Sequence, residues 1–419
     1  MIRRRPAGAS VLVVSACAFL AIAANAVEDW NQWRGPSRNG VAPAGPPLLS
    51  TWSAKGLKKL WQSEPVPGGK AGGYGCASIA GSFAYVFVHD PGPVKDPKAT
   101  LSPSAVYRDV ILCLDAADGK TVWKKEYPGQ FTGDEETCAS STPAVIEGKV
   151  FVAGSKALYC LNARDGTEVW VSSPPEWGST NSSPLVVDGL VILQAGPKLG
   201  QAAFDASTGR RVWNEKTIAA SRGTNPSAAA WKKNGVTCIV CNNDKKTSCL
   251  EAKSGKVLWT VLGGGYGTPV VCGDLAVTAG GNRVLRMSPE SAEEVWKQAG
   301  GFGCSAAVAD GKVYVARSQK LFCIGLEDGK IFWTQAGDFC GRNFEEYTSP
   351  VLADGKLFTV SDGGQTLCMV RASPGKFEQL GRMDKAGLAL ATSPVVSGGR
   401  MYLRGEKAIV CYDLTKLAE

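Results

Sequence analysis

Short stretches of alternating apolar and polar residues fill most of the chain and return in a fixed order. An apolar run such as "STPAVI" leads into a two-residue turn such as Glu147-Gly148, and a second alternating run follows. A third run ends near Cys-Leu-Asp, and after a glycine turn a fourth run ends in tryptophan. Period-two alternation between short Gly-containing turns is typical of antiparallel hairpins. The pattern therefore predicts a repeated unit of four antiparallel strands, which is the blade of a β-propeller.

The closing tryptophan of the unit sets the number of blades. It recurs at Trp61, Trp123, Trp170, Trp213, Trp259, Trp296 and Trp333, and Leu380 stands where an eighth is expected. The unit that begins at Ala391 has no tryptophan strand, whereas Leu57 to Pro65 is a tryptophan strand without a blade before it. We therefore predict an all-β, eight-bladed propeller of four-stranded antiparallel blades. Its N- and C-terminal strands share the last blade, which closes the ring and removes free sheet edges. Seven blades is the alternative.

An eleven-residue motif, "CLDAADGKTVW" from Cys113 to Trp123, connects the last two strands of the unit. Its seventh residue is a glycine, which we expect to supply the positive φ of a tight turn. The tryptophan is a large apolar side chain on the outermost strand, able to lie across the neighbouring blade. We expect blades to dock through the seven tryptophans together with the motif glycines Gly119, Gly166, Gly209, Gly255 and Gly329.

This motif resembles the tryptophan-docking motif of the pyrroloquinoline-quinone (PQQ) family of propellers, Ala-x-Asp-x-x-Thr-Gly-Lys-x-x-Trp, from Leu57 to the C-terminus. Two units depart from it: Ser288 to Trp296 lacks the glycine, and the unit near Leu380 lacks the tryptophan, so looser blade contacts are expected there. Upstream, "WNQWRGPSRNGVAP" resembles the first segment of exported bacterial PQQ-like repeat proteins. We interpret it as an extended arm packed on the propeller, with ligand recognition as the alternative.

The first residues have the order of a secretory signal. Three arginines, Arg3 to Arg5, precede an apolar stretch, and the small residues "ANA" end at Ala26. We predict a signal peptide over 1–26, an arm over 27–56 and the propeller over 57–419, with export to the periplasm or cell envelope. "VSAC" also resembles a lipoprotein box that would place a lipid anchor on Cys17, but the apolar residues after it favour cleavage. No later segment has the ~20 apolar residues of a membrane span.

The charge distribution and the absence of two motifs reduce the number of possible functions. The net charge of +8 includes the three arginines of the predicted signal, and the other basic residues are scattered, which disfavours nucleic acid as a partner. Quinoprotein dehydrogenases of the family hold PQQ and calcium in the central funnel, usually beneath two adjacent cysteines, and the haem-bearing members need Cys-x-x-Cys-His. The chain contains neither motif. We therefore predict no catalytic residue, no metal site and no cofactor.

Two loops nevertheless carry oxygen ligands that suit a hard cation. We interpret these side chains as solvated loop charges, with calcium binding as the alternative; they are Asp134, Glu135, Asp338, Asn343 and Glu345. In that alternative a basic residue such as Arg222 or Arg342 would hold the carboxylates of PQQ.

His89, the single histidine, falls near a Pro-rich insertion and is predicted to be an exposed loop residue. Cys238 and Cys241 form a Cys-x-x-Cys sequence within an alternating strand, where residues three apart point to opposite faces. Cys241 and Cys249 are symmetric about Lys245, and we predict that they form a cross-strand disulfide.

These observations favour an exported, non-catalytic propeller, a monomer that binds a protein partner on one loop rim, similar to outer-membrane assembly propellers. The rim would consist of the connections Asp90 to Asp109, Pro128 to Thr137 and Asp338 to Tyr347. The alternative is a divergent PQQ- and calcium-dependent dehydrogenase of alcohols or sugars, so enzymatic activity stays open.

Overall fold

Eight four-stranded antiparallel sheets make up the protein, in a computed structural model of the chain. The structure describes residues 29–52, 56–68, 75–92, 106–130, 140–178, 180–219, 226–299, 304–337, 348–361, 366–386 and 392–417. Within these ranges the regular elements are strands and two short 3-10 helices, Lys216–Ile218 and Ala279–Gly281. No helix among the described residues is long and apolar enough to span a membrane. The predicted eight-bladed propeller is confirmed.

The first four blades follow one another along the chain. Blade 1 contains β2 (Ser78–Ala80), β3 (Phe83–Asp90), β4 (Arg108–Asp115) and β5 (Thr121–Pro128). Blade 2 contains β6 (Ala144–Ile146), β7 (Lys149–Ala153), β8 (Leu158–Asn162) and β9 (Glu168–Ser172). Blade 3 contains β10 (Leu185–Val187), β11 (Leu190–Gln194), β12 (Gln201–Asp205) and β13 (Arg211–Glu215). Blade 4 contains β14 (Ala229–Lys233), β15 (Val236–Asn242), β16 (Lys246–Glu251) and β17 (Val257–Leu262).

The remaining blades repeat this order until the ring closes. Blade 5 contains β18 (Val270–Cys272), β19 (Leu275–Thr278), β20 (Arg283–Met287) and β21 (Ala292–Lys297). Blade 6 contains β22 (Ala307–Ala309), β23 (Lys312–Arg317), β24 (Lys320–Gly325) and β25 (Ile331–Ala336). Blade 7 contains β26 (Val351–Ala353), β27 (Lys356–Ser361), β28 (Thr366–Arg371) and β29 (Gln379–Asp384). Blade 8 contains β30 (Val395–Ser397), β31 (Arg400–Arg404), β32 (Ile409–Leu417) and β1 (Leu57–Gln62).

Both ends of the chain build blade 8, as the sequence predicts. β1 pairs antiparallel with β32, and Trp61 lies opposite Cys411, the same pairing that Trp123 makes with Cys113 in blade 1. The first strands of neighbouring blades are in contact, so they form the inner wall of the ring. Ring closure therefore needs a strand from upstream of blade 1, which ties the N-terminal segment to the last blade.

Each of the seven motif tryptophans contacts the turn of the next blade. The indole N–H donates to a backbone carbonyl there, over distances from 2.7 Å for Trp333 to 3.1 Å for Trp170. The acceptors, from Trp61 onward, are the carbonyls of Ala116, Ala163, Ala206, Ala252, Ser288, Leu326 and Ser373. Trp259 keeps this bond at 3.0 Å although its neighbouring turn lacks the glycine. At five of these turns the ring lies against the motif glycine, which is Gly119, Gly166, Gly209, Gly255 or Gly329.

The eighth docking position is occupied by the arm. Opposite Met369, where the other blades have tryptophan, stands Gly381, one residue after the Leu380 expected from the sequence. A Cβ at Gly381 would lie 2.5 Å from the ring of Trp52. Trp52 is buried and stacks on Phe358 with ring centroids 6.4 Å apart, as Trp170 packs on Phe151 at 6.0 Å in blade 2. The arm thus supplies the tryptophan that blade 7 lacks.

The motif glycines permit a matched test of blade docking. Gly166 and Gly189 both have positive φ, +70° and +74°, but a Cβ at Gly166 would lie 2.7 Å from the ring of Trp123, whereas at Gly189 it would meet nothing within 4 Å. Gly189→Ala should lower the free energy of unfolding by about 1 kcal/mol through backbone strain alone. Gly166→Ala should lower it by about 3 kcal/mol because the indole must also move. Urea unfolding measures both values, and equal losses would contradict docking at this turn.

Candidate functional site

The hub of the propeller is crossed by the arm. Residues 29–52 extend the inner sheet edges: the Ile79 N–H donates to the Trp30 carbonyl at 2.9 Å, and the Val145 N–H to the Asn31 carbonyl at 2.8 Å. On the other side of the ring the Leu352 N–H donates to the Gly40 carbonyl at 2.8 Å. These bonds lie near the turns that join first and second strands, such as Glu147-Gly148, and we call that side of the propeller the arm face. The opposite side, where second and third strands join and blades connect, is the loop face.

Two arginines of the arm point into the wall of the hub. Arg34 Nη1 donates to the Pro350 carbonyl at 2.7 Å, and Nη2 donates to the Ala306 carbonyl. Arg38 Nη1 donates to the Pro184 carbonyl at 2.9 Å, on the opposite side of the ring. Arg34 therefore connects the arm to blades 6 and 7, while Arg38 connects it to blade 3.

Burial of both arginines costs free energy, and the surrounding blades must hold this part of the arm in place. Arg34 is 1% exposed and Arg38 3%, and desolvation lowers their pKa values to about 10 and about 9, so both stay charged at neutral pH. Each has positive φ, +67° and +53°, a conformation that non-glycine residues rarely adopt. Gly40 leaves room for the first guanidinium, because a Cβ there would lie 1.9 Å from Arg34 Nη2. The surrounding blades hold the arm in a conformation it would not adopt alone.

A belt of eight side chains surrounds the hub just before each first strand. In seven junctions the backbone N–H of one member donates to the side chain of the next, for example Thr142 to Ser183 Oγ at 2.9 Å and Ser349 to Ser393 Oγ at 2.8 Å. Trp33 Nε1 of the arm donates to the belt residue Thr268 at 2.9 Å. The members are Cys76, Thr142, Ser183, Ser227, Thr268, Ser305, Ser349 and Ser393. The Ser/Thr-Pro pairs that recur before the first strands are the sequence signal for this belt.

His89 is not an exposed loop residue, contrary to the prediction. It lies in β3 with its side chain fully buried, and its Nδ1 is 3.2 Å from Asp109 Oδ1. Asp109 Oδ2 also accepts from the Tyr159 hydroxyl at 2.9 Å and from the Ser155 N–H at 2.8 Å. Tyr107 stacks on the imidazole ring at 5.2 Å. Both strands of this hairpin have eight residues and pair as far as His89 with Asp109 and Asp90 with Arg108, which places His89 inside the blade.

Cys241 and Cys249 do not form the predicted disulfide. Both thiols are free, and the hairpin pairs Cys241 with Ser248 and Cys249 with Val240. The two cysteines consequently lie on opposite faces of the sheet: Cys241 packs with Ile239 and Leu250, Cys249 with Cys238 and Trp259. The turn centres between Asp244 and Lys245, since the Asn243 N–H donates to the Lys246 carbonyl at 2.9 Å, and that shifts the register by one residue.

Buried thiols should make the folded state less stable in alkali. Burial raises the pKa values of Cys113 and Cys160 to about 12 from 9.0. The folded chain keeps these protons while the unfolded chain releases them, so their stabilising contribution is complete below about pH 9 and is lost as the pH rises toward 12. The lowered pKa values of Arg34 and Arg38 have the opposite effect on the free energy of unfolding. Several tyrosines and further cysteines also have raised pKa values, and these add to the effect of Cys113 and Cys160.

We therefore expect the free energy of unfolding to fall between about pH 8 and about pH 10.5, with a smaller fall in Cys160→Ala. Urea unfolding under reducing conditions at both pH values measures this difference. A free energy of unfolding that rises with pH would contradict the assignment.

The residues proposed for a calcium and quinone site lie outside the described residues. They are Asp134, Glu135, Arg222, Asp338, Arg342, Asn343 and Glu345. Among the described side chains there is no group of three or more His, Cys, Asp or Glu that is close enough to hold a metal ion. The described hub offers hydroxyl, thiol and guanidinium groups, and no carboxylate belongs to the belt or to the arm segment Trp33 to Arg38. These groups do not fit calcium, which takes oxygen ligands from carboxylates and amides.

Known proteins are similar to this chain in sequence and in fold. A family model described as outer membrane protein assembly factor BamB matches residues 53–298 and 280–415. BamB of Yersinia pestis is 26% identical over 331 residues, 74% of this chain and 80% of that protein. BamB of Escherichia coli is 26% identical over 329 residues, 73% of this chain and 80% of that protein.

Two solved structures share the fold at low identity. BamB from Moraxella catarrhalis has a TM-score of 0.58 at 14% identity, covering 80% of this chain and 98% of that one. Quinohemoprotein alcohol dehydrogenase from Comamonas testosteroni has a TM-score of 0.63 at 14% identity, covering 94% of this chain and 82% of that one. Both similarities are evidence for the propeller alone. Because the family match spans nearly all of the propeller, the chain belongs to the family of outer membrane protein assembly factor BamB.

Proposed function

We propose that this protein is a non-catalytic, protein-binding propeller of the cell envelope that supports the assembly of other proteins. The observation that carries the proposal is the family match over residues 53–298 and 280–415, which includes every blade. The fold by itself would not distinguish a scaffold from an enzyme. The relatives are named outer membrane protein assembly factors, and that name directs the proposal to assembly.

The partner is proposed to bind on the loop face. The arm lies across the hub on the arm face, and its buried arginines already donate to carbonyls of the inner wall. Most connections on the loop face are longer than the turns on the arm face, and their lengths differ from blade to blade, as expected of binding segments on a rigid scaffold. The structure describes parts of two predicted rim segments, Asp90 to Gly92 with Val106 to Asp109, and Pro128 to Gln130, whereas Asp338 to Tyr347 lies outside the described residues.

Export and anchoring belong to the same proposal. A signal peptide over 1–26 would deliver the chain to the envelope as a monomer, and lipidation at Cys17 is the alternative form. Intact-mass measurement of the exported protein distinguishes a chain that begins at Val27 from one that begins at a lipidated Cys17. A chain that keeps residues 1–26 in the cytoplasm would contradict an envelope function.

The test combines capture with an activity control. Chemical crosslinking in intact cells followed by affinity purification should recover a defined set of envelope proteins with the wild-type chain. Gly166→Ala/Trp123→Ala, which weakens the ring, should recover less of the same set. Calorimetric titration with PQQ in calcium buffer should give no saturable heat. Saturable binding near one equivalent, with dye reduction on alcohols or sugars, would replace the scaffold by the dehydrogenase alternative.

A further inference from the structure

Among the hairpin tips of the loop face that the structure describes, those of five blades carry exposed lysines. The tips join second and third strands, and each tip lysine is solvent-exposed. We call this set the lysine crown, and it consists of Lys156, Lys198, Lys245, Lys246, Lys320 and Lys407. Blade 5 has Arg283 at the equivalent place, where it is buried and donates to Thr247 at 3.0 Å. The crown therefore belongs to blades 2, 3, 4, 6 and 8.

Several lysines of the arm face have ion-pair partners, whereas no crown lysine has one among the described residues. On the arm face, Lys120 pairs with Asp118 at 2.6 Å, Lys232 with Asp188 at 3.5 Å and Lys356 with Asp354 at 2.7 Å. In the described part of the chain no crown lysine has a carboxylate within ion-pair distance. Acidic residues occur at two of the five crown tips, Asp244 and Glu406. The crown thus retains most of its positive charge for an external partner.

The repeat places these charges on one face of the ring. Each crown lysine lies in the connection between the second and third strands of its blade or begins the third strand, and the belt joins the blades around the axis. Six ammonium groups on a ring match an extended flat anionic surface better than a single acidic segment, which would meet only part of the ring.

Exposed aliphatic side chains stand on the same face. Leu262, the last residue of β17, is 78% exposed, and Val106, just before β4, is 79% exposed. They have the largest exposed fractions among the large hydrophobic residues of the described chain. Aliphatic tips beside lysines suit the boundary between lipid headgroups and acyl chains.

From the unpaired crown, its arrangement around one face of the ring and the two exposed aliphatic side chains, we propose that the loop face docks on the surface of an anionic lipid bilayer. The proposal does not rest on the scaffold function, because protein-free vesicles are sufficient to test it. The scaffold proposal and the bilayer proposal are compatible if the loop face is turned toward the membrane that contains the partner. Each lysine near an anionic bilayer strengthens binding by about fivefold at moderate salt, so loss of several should abolish association.

The test uses vesicles of equal parts phosphatidylglycerol and phosphatidylcholine, with pure phosphatidylcholine vesicles as the neutral arm. Purified protein should sediment with the anionic vesicles and not with the neutral ones, and added salt should release it. The crown variant Lys156→Gln/Lys198→Gln/Lys245→Gln/Lys320→Gln should bind at least about tenfold more weakly. The matched arm-face variant Lys120→Gln/Lys232→Gln/Lys253→Gln/Lys256→Gln has the same net charge and should bind within about twofold of the wild type.

Three results would overturn the proposal. They are failure of the wild type to bind anionic vesicles, equal losses in the two variants, and tighter binding to polyglutamate than to the vesicles. The last result would assign the crown to an acidic polypeptide instead.

Glycerol phosphate at millimolar concentration should not displace the protein, since a single headgroup contacts one lysine at a time. Circular dichroism and thermal unfolding of both variants confirm that each is folded, so that weaker binding reports the surface.

Discussion

Replacing Arg34 by alanine should lower the free energy of unfolding by about 3 kcal/mol. The substitution leaves the Pro350 and Ala306 carbonyls without their donor inside the hub, and each such orphaned group costs about 1–3 kcal/mol. It also empties the space that the side chain fills beside Gly40. Part of this loss is offset, because the alanine variant no longer buries a cation. Burial of the Arg34 guanidinium is unfavourable, as its pKa, lowered to about 10 by desolvation, indicates.

Arg210 provides the matched control for this experiment. It is exposed and lies in a turn of blade 3, so Arg210→Ala should change the free energy of unfolding by less than about 0.5 kcal/mol. Urea unfolding followed by tryptophan fluorescence measures both variants. A loss at Arg34 no larger than at Arg210 would mean that the arm does not stabilise the ring.

Trp52→Ala should be equally severe, with a loss of about 3–5 kcal/mol, although Trp52 lies outside the repeated motif. Its ring fills the space above Gly381 and stacks on Phe358, so truncation leaves a cavity between the arm and blade 7. Trp123→Ala, in a regular docking motif, should lose a similar amount because Trp123 is as well buried.

Phenylalanine substitutions separate packing from hydrogen bonding at the two sites. Trp52 Nε1 is buried without a partner among the described residues, whereas Trp123 Nε1 donates to the Ala163 carbonyl at 3.0 Å. Trp52→Phe should therefore retain more stability than Trp123→Phe, by about 1 kcal/mol. The opposite order in urea unfolding would show that Trp52 does not fill the eighth docking position.

The sequence allows prediction of the blades because strand formation and blade closure depend on local pattern. Period-two alternation and Gly turns locate the strands within a few residues, and the unmatched ends of the repeat reveal that β1 completes blade 8. Cys241 and Cys249 show where this reasoning fails. Their symmetric spacing suggests an odd-numbered turn, but the two-residue turn at Asp244-Lys245 moves every partner by one position and puts the thiols on opposite faces.

The hub could not be predicted because its contacts join residues far apart in the chain. Arg34 reaches carbonyls of blades 6 and 7, and Trp52 occupies a gap in blade 7 that the sequence shows only as a missing tryptophan. Neither pairing has a local signature in one sequence. His89 was misplaced for a related reason: the Pro-rich stretch suggests a loop, yet the strands on either side continue through His89 and Asp109.

Site-specific photocrosslinking in intact cells tests whether the loop face is the binding surface and the arm closes the opposite side. The crosslinking residue would replace Pro197, Gln319 or Lys407 on the loop face and Asp118, Lys232 or Glu327 on the arm face, all of them exposed. We expect protein adducts of discrete mass from loop-face positions and none from arm-face positions. Adducts that form only from the arm face would contradict this expectation.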